Sequence, residues 1–331
     1  MGVFVSTLNQ TAFLFTFIVI GYILGKFKII PDNSATVLSK LENNLFVPAL
    51  VLGTFIENFT VSQIASASKI FLSSIALVII MILFSLLASK GVTKDGYERN
   101  IFAYGLAFSN FGFMGNAVVE ALFPDIFLQY IIFTLPFWSM IYLWGAPTLL
   151  IGGSGGKQSI KERAKAFLNP MFIAIIIGMI IGIVSDGKLP WGEVGTSEYE
   201  SFFLTKIINV SGSCMSPVAM LLTGITVSGI NIKKTFTDMK IYAVSVIRLI
   251  LMPVIFLGIA KFVPFITADS TIFYCALCVL SMPLGLNTIV IPSAYGKDTS
   301  KAAGMAVISH LLSCFTIPAI FMIVEMMFRL K

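Results

Sequence analysis

The sequence predicts an all-α polytopic membrane protein of ten helices, arranged as two inverted five-helix repeats whose fourth and ninth helices are broken and cross. Three observations carry that prediction. The chain holds ten apolar segments of spanning length, its basic residues alternate from one connection to the next, and two segments in corresponding places are interrupted by glycine or proline beside an asparagine.

The segments come first. Of 331 residues 57% are hydrophobic and 11% charged, and thirty phenylalanines stand beside a single histidine; a water-soluble fold could not hide that much apolar surface. A helix crosses the hydrocarbon in about 20 residues. Apolar runs bounded by charged or Gly/Pro-rich breaks lie near 8–25, 35–56, 69–88, 100–122, 126–151, 167–185, 203–229, 241–260, 270–294 and 302–327. The third, "IFLSSIALVIIMILFSLLA", is the cleanest; the second and seventh are polar enough for a hydropathy scan to miss one of them.

The connections justify keeping both. Odd-numbered loops carry fourteen basic residues: Lys26, Lys28, Lys90, Lys94, Arg99, Lys157, Lys161, Arg163, Lys165, Lys233, Lys234, Lys240, Lys297 and Lys301. Even-numbered loops carry three, Lys69, Lys188 and Lys261. The positive-inside rule then makes the odd loops cytoplasmic and puts both termini on the extracytoplasmic side of the cell membrane, with Arg329 and Lys331 as the discordant pair. The net charge of +6 is therefore scattered over short loops rather than gathered on a nucleic-acid-binding face. The N-terminus lacks the basic start and cleavage site of a secretory signal, so the first helix is expected to stay. Cys214, Cys275, Cys278 and Cys314 all fall inside spans and read as small core side chains, without metal or redox chemistry. No Ser/His or paired-Asp constellation suggests an enzyme.

The stretch "GGSGGKQSIKERAK" makes 152–166 a cytoplasmic linker between a first repeat (1–151) and a second (167–331). Five crossings per half force the halves into opposite orientations. The second and seventh helices each follow a polar patch with a proline (Pro48, Pro217), and the fifth and tenth each carry a late one (Pro136, Pro318). The fourth reads "FSNFGFMGNAVVEALFPD" and the ninth "MPLGLNTIVIPSAYGKD". In lipid a helix is broken only where protein, water or a ligand takes up the freed N–H and C=O groups. Pro283 removes a donor and Gly285 permits unusual dihedrals, with Gly112 and Gly115 loosening the fourth helix. A half-helix resuming after such a break turns its positive end toward the break, which attracts anions.

Those two stretches, with "LFVPALVLGTF" (45–55) and "LQYIIFT" (128–134), resemble the auxin efflux carrier family, bacterial relatives of the plant PIN transporters within the bile-acid/sodium symporter-like group. The resemblance spans essentially the whole chain. It implies a scaffold of helices 1, 2, 6 and 7, a transport domain of helices 3–5 and 8–10 moving like an elevator, a homodimer through the scaffold, and organic-anion substrates such as malate, malonate or indole-acetate. By position, Asn116 and Asn287 match the amide ligands of the substrate carboxylate, with Pro283 at the crossover and Gln129 in a supporting pocket. The chain departs from the family in having Gly115-Asn116-Ala117 where a proline is common, no acidic residue in "ASASKIF" (65–71), and no long cytoplasmic loop.

The remaining polar residues keep two readings each. Asn110, Asn43 and Asn44 are candidate lining residues or interhelical glue. Arg248 either offsets the substrate's charge or snorkels. His310 is a proton carrier or a neutral core histidine. Glu42 is either solvated or forms a cation site with Asn43. The expected function is secondary transport of an organic anion without a cofactor, coupled to protons or sodium or to neither. The alternatives are a sodium-coupled symporter of an amphipathic or bile-acid-like anion and a membrane sensor that binds the anion without moving it.

Overall fold

A computed structural model describes residues 2–151, 168, 170–229, 237–294 and 297–328. The predicted 152–166 linker lies outside these, as do Lys233, Lys234, Arg329 and Lys331. The described chain is helical apart from one small hairpin, Lys188–Leu189 paired with Gly192–Glu193.

Among the described residues, each of the ten apolar segments falls on helix. They are α1 (Gly2–Lys26), α2 (34–58), α3 (Ile64–Val92), α4, α5 (127–150), α6 (Pro170–Ser185), α7 (203–228), α8 (239–262), α9 and α10 (Ser300–Phe328). Two are broken: α4 into α4a (Gly96–Ala107) and α4b (111–122), and α9 into α9a (Ser270–Ser281) and α9b (Asn287–Ala294). Among the described residues five helical stretches are long and apolar enough to cross a membrane: Ser66–Val92, Pro124–Leu150, Phe203–Ser228, Met239–Phe262 and Ser300–Phe328. Ala12–Lys26, Phe111–Leu122, Pro170–Ser185 and Ser270–Ser281 are apolar but shorter. Of the two polar segments, α7 passes this test and α2, with Glu42, Asn43 and Asn44 in its middle, does not.

Several helices widen locally into π turns, and proline explains most of them. Glu42–Phe46 precedes Pro48, Ile247–Leu251 precedes Pro253, and Ile141–Leu150 contains Pro147. Proline has no N–H for the carbonyl four residues back, so the ladder opens one turn upstream without ending the helix.

Two sets of helix contacts stand out, joined by the packing of α1 on α10. In one, α2 lies against α6 and α7, and α1 against α7; in the other, α3 lies against α4a and α5, and α8 against α10. The α1–α7 contact is backbone to backbone: a Cβ on Gly21 would lie 2.2 Å from the Leu221 carbonyl oxygen, and one on Gly224 2.0 Å from that of Ile18. Small residues allow this approach where lipid gives helices no hydrophobic reason to associate. In the second set a charged cluster ties α4a, α8 and α10 together at one end. Glu98 accepts from Lys240 Nζ (2.7 Å) and Thr93 Oγ1 (2.5 Å) and pairs with Lys301 (3.3 Å), which also pairs with Asp238. Burial raises the Glu98 carboxyl, but the hydrogen bonds from Lys240, Thr93 and Lys301 outweigh it and hold the group below the usual carboxylate range.

Candidate functional site

The two breaks meet and complete each other. Ser109 and Leu284 form an isolated antiparallel bridge, and the Asn110 N–H donates to the Pro283 carbonyl at 2.7 Å. Ser109 Oγ donates to the Val279 carbonyl (2.8 Å), and the Leu284 N–H donates to Ser309 Oγ of α10 (3.2 Å). Backbone groups freed by one break are thus taken up by the other and by α10, as apolar surroundings require. Tyr104, Phe108, Phe111, Tyr130 and Phe137 are wholly buried around the crossing.

The glycines contribute closeness rather than unusual dihedrals. Among the described glycines positive φ occurs at Gly187, Gly192 and Gly195, not at Gly112, Gly115 or Gly285. A Cβ on Gly285 would lie 2.8 Å from the Phe108 carbonyl oxygen, so glycine there lets the two backbones touch. The expectation that Gly285 supplies a special conformation is corrected accordingly.

Of the two readings of Arg248, snorkelling is ruled out: the residue is fully buried on the π turn of α8. Its guanidinium is spent on backbone: Nε donates to the Met282 carbonyl (3.1 Å), Nη1 to that of Leu106 (2.9 Å) and Nη2 to that of Val279. These are the orphaned carbonyls at the C-terminal ends of α4a and α9a, where the helix dipoles are negative. One cation satisfies both ends, which leaves the positive N-terminal ends of α4b and α9b unopposed at the crossing.

Between them lies a crevice of about 10 Å³ lined by Ser109, Asn110, Phe111, Gly112, Phe113, Trp138, Ile141, Gly285, Leu286 and Asn287. This is room for no more than about one water. Asn110 and Asn287 share the crevice; Asn116, also buried, is not among its lining residues. The fourth helix resumes at Phe111 through a π turn, with the Gly115 N–H bonded to the Asn110 carbonyl (2.9 Å), so Asn116 lies within α4b rather than at its mouth. The buried Tyr104 hydroxyl faces Asn287 without closing a hydrogen bond of ordinary geometry.

His310 is buried on α10 and touches the site through Asn110. Its Nδ1 lies 2.7 Å from the Ala306 carbonyl oxygen and its Nε2 3.0 Å from Asn110 Nδ2.

The other candidates lie elsewhere. Gln129 lines a separate cavity of about 590 Å³, bounded by α2, α7, α4b and the start of α5, with Glu57, Asn58, Glu120, Asp125 and Asn209. The Gln129 Oε1 is buried there without a partner, and Ser216 donates weakly to Glu120 (3.5 Å). Asn43 and Asn44 are exposed and turned back onto their own helix, donating to the Ser39 and Lys40 carbonyls at 2.7 Å each. Glu42, by contrast, is fully buried with neither carboxylate oxygen hydrogen-bonded. The structure therefore does not bring Glu42 and Asn43 together as a cation site. The sequence reading missed Tyr104, Trp138 and, in the larger cavity, Glu57 and Asn209. The first two are aromatic residues in apolar runs and carry no local signal; the last two stand in helices read for their prolines and serines.

An all-helical chain that buries a crossing of two broken helices among apolar spans is a multi-pass membrane protein built around a membrane-embedded polar site. Comparison with known proteins makes this more specific. The sequence profile of the family described as membrane transport protein matches residues 6–164 and 157–321. An uncharacterized transporter of Methanothermobacter thermautotrophicus is 22% identical over 325 residues, covering 96% of this chain and 98% of the relative. The chain belongs to this membrane transport protein family, that of the PIN-like auxin efflux carriers.

Proposed function

We propose that the protein is a secondary transporter of an organic anion that binds the substrate's carboxylate at the crossing of α4 and α9 and works by alternating access. In this reading the chain crosses the membrane ten times as two inverted repeats with both termini extracytoplasmic. The group containing α3, α4, α5, α8, α9 and α10 moves as an elevator against a dimeric scaffold of α1, α2, α6 and α7. The observation that carries the reading is the meeting of two half-helix N-terminal ends with the Asn110 and Asn287 amides, among lining residues that include no carboxylate. Such ends favour an anion, and the amides can donate to it. The crevice is too small for a substrate as it stands, so binding requires the two breaks to part.

The 590 Å³ cavity between the two helix groups is the approach on one side of the membrane. Its wall carries Glu57, Glu120 and Asp125 and no lysine or arginine. Such a wall repels a dianion more than a monoanion, so the expected substrate is a monocarboxylate. The same acidic wall favours a second reading, sodium-coupled symport, in which the cation enters by this route.

A thermal-shift series on the purified protein in detergent tests both, with benzoate, indole-3-acetate, malonate and malate at two pH values, with and without sodium. Stabilisation by the monocarboxylates, about 2.7 kcal/mol at a hundredfold excess over Kd, is the expected result. A requirement for sodium would select the second reading, and no stabilisation by any carboxylate would overturn both.

A further inference from the structure

We propose that His310 is a positioning residue that couples carboxylate binding to a proton by turning the Asn110 side-chain amide. The inference rests on the carboxylate site just described and follows from counting donors and acceptors. The Ala306 carbonyl can only accept, so the proton of the neutral ring is on Nδ1, which donates to it at 2.7 Å. Nε2 is then bare and accepts from Asn110 Nδ2 at 3.0 Å. With one N–H of its NH₂ given to the histidine, Asn110 presents its carbonyl oxygen beside the one remaining N–H to the crevice that it lines with Asn287. A carbonyl oxygen repels a carboxylate.

Protonation reverses the arrangement. Once Nε2 carries a proton it donates, and Asn110 must rotate its amide to offer Oδ1. That rotation turns Oδ1 to the histidine and frees both N–H groups of Nδ2 for the crevice, where a carboxylate accepts from them. The Nδ1–Ala306 bond is unchanged, so the ring need not move. The anion enters with one proton, the imidazolium offsets its charge from one residue away, and release of either favours release of the other. An imidazole suits this role because its ordinary titration lies near neutrality, at about 6.5.

Few other groups can take the proton's place. From α1, Tyr22 lines an apolar cavity of about 330 Å³ that also touches His310, and from α7 the same wall offers only Thr223 and Val227. On α10 itself Cys314 and Ser313 donate to the His310 carbonyl. From α8, Arg248 is committed to three carbonyls, and from α4b, Glu120 faces the other cavity; α9 offers the buried thiols Cys275 and Cys278. Lys301 stands nine residues back along α10, in the cluster with Glu98 and Asp238.

His310 is the chain's one histidine, so ring ¹⁵N NMR of histidine-labelled full-length protein, purified without a histidine tag and held in lipid nanodiscs, reports this side chain alone. At pH 7.5 the free protein should show a neutral ring with the proton on Nδ1, and saturating benzoate should convert it to imidazolium. Benzoate affinity should fall up to tenfold per pH unit wherever the free ring is neutral and the bound ring charged. The ligand's own carboxyl titrates well below that range, at about 4. His310→Gln should bind benzoate with a flat pH profile, and Asn110→Ala should bind more weakly and equally flatly. A ring that stays neutral in a benzoate complex shown to form by thermal shift would overturn the coupling while leaving the carboxylate site standing, as would an unchanged pH slope in His310→Gln. Failure of the wild type to bind any of the four carboxylates would overturn the site itself, and the coupling with it.

Discussion

The two helix breaks are alike in composition and different in construction. Break nine is opened by Pro283, pairs with break four at Leu284, turns at Leu286 and resumes with Asn287 as the first residue of α9b. Break four has no proline; it turns at Ser109 and Asn110 and resumes through the π turn Phe111–Gly115. Asn287 therefore opens its half-helix, whereas Asn110 precedes its own and is held from the side by His310. The difference teaches that a pair of sites related by sequence likeness need not use the same position of the motif: the π turn moves the fourth-helix asparagine at the mouth from Asn116 back to Asn110. It also gives the two amides different freedom. Under the proposed coupling, break four responds to a proton, while break nine offers its amide to the crevice regardless.

The largest expected effect removes what the two breaks share. Arg248→Ala leaves the Leu106 and Met282 carbonyls buried without their donor and the Val279 carbonyl with Ser109 alone, which should cost about 3–5 kcal/mol. The protein should lose thermal stability in detergent, and Arg248→Lys, which lacks the planar fork, should recover only part of it. Equal stability of Arg248→Ala and wild type would contradict the role of that cation.

Asn287→Ala breaks the comparison on its stronger side. Losing a hydrogen bond to a carboxylate costs about 1.5–3 kcal/mol, so affinity should fall about 10- to 100-fold without loss of membrane expression. Asn116→Ala should change affinity less than about threefold. A reversal of that order, measured by carboxylate binding to the two variants, would return the fourth-helix site to Asn116.

The smallest effect concerns how break four is anchored. Glu98 ties the start of α4a to α8 and α10 through lysines that are themselves partly exposed, so Glu98→Gln should cost only about 1 kcal/mol. Because the Glu98 carboxyl is held below its ordinary value of about 4.3, the stabilisation is present above that pH and is lost as pH falls through the lower folded value. Wild type and variant melting temperatures should differ at pH 7 and converge as the pH falls through the lowered folded value. A difference that persists in acid would remove the ion-pair explanation.

How much of this was readable from sequence depends on whether the signal is local. Apolar runs, Pro283 and the neighbourhood of Asn287 announce themselves within a few residues, and the helices and the ninth-helix break were found accordingly. The partners of Arg248 could not be, because they are carbonyls, and every residue carries one. The Asn110–His310 pair spans 200 positions, and nothing near either residue points to the other. Asn43 and Asn44 look polar enough to line a site, but consecutive residues on a helix face different ways. In this case the buried one is Glu42.

The central claim is that a carboxylate lies between Asn110 and Asn287 at the crossing. The direct test is an electron cryo-microscopy structure of the protein saturated with benzoate. The account predicts the carboxylate within about 3 Å of both side-chain amides, with α4b and α9b drawn apart to admit it. Ligand density centred on Asn116, or resting in the acidic cavity beside Gln129 with the crossing still closed, would contradict it.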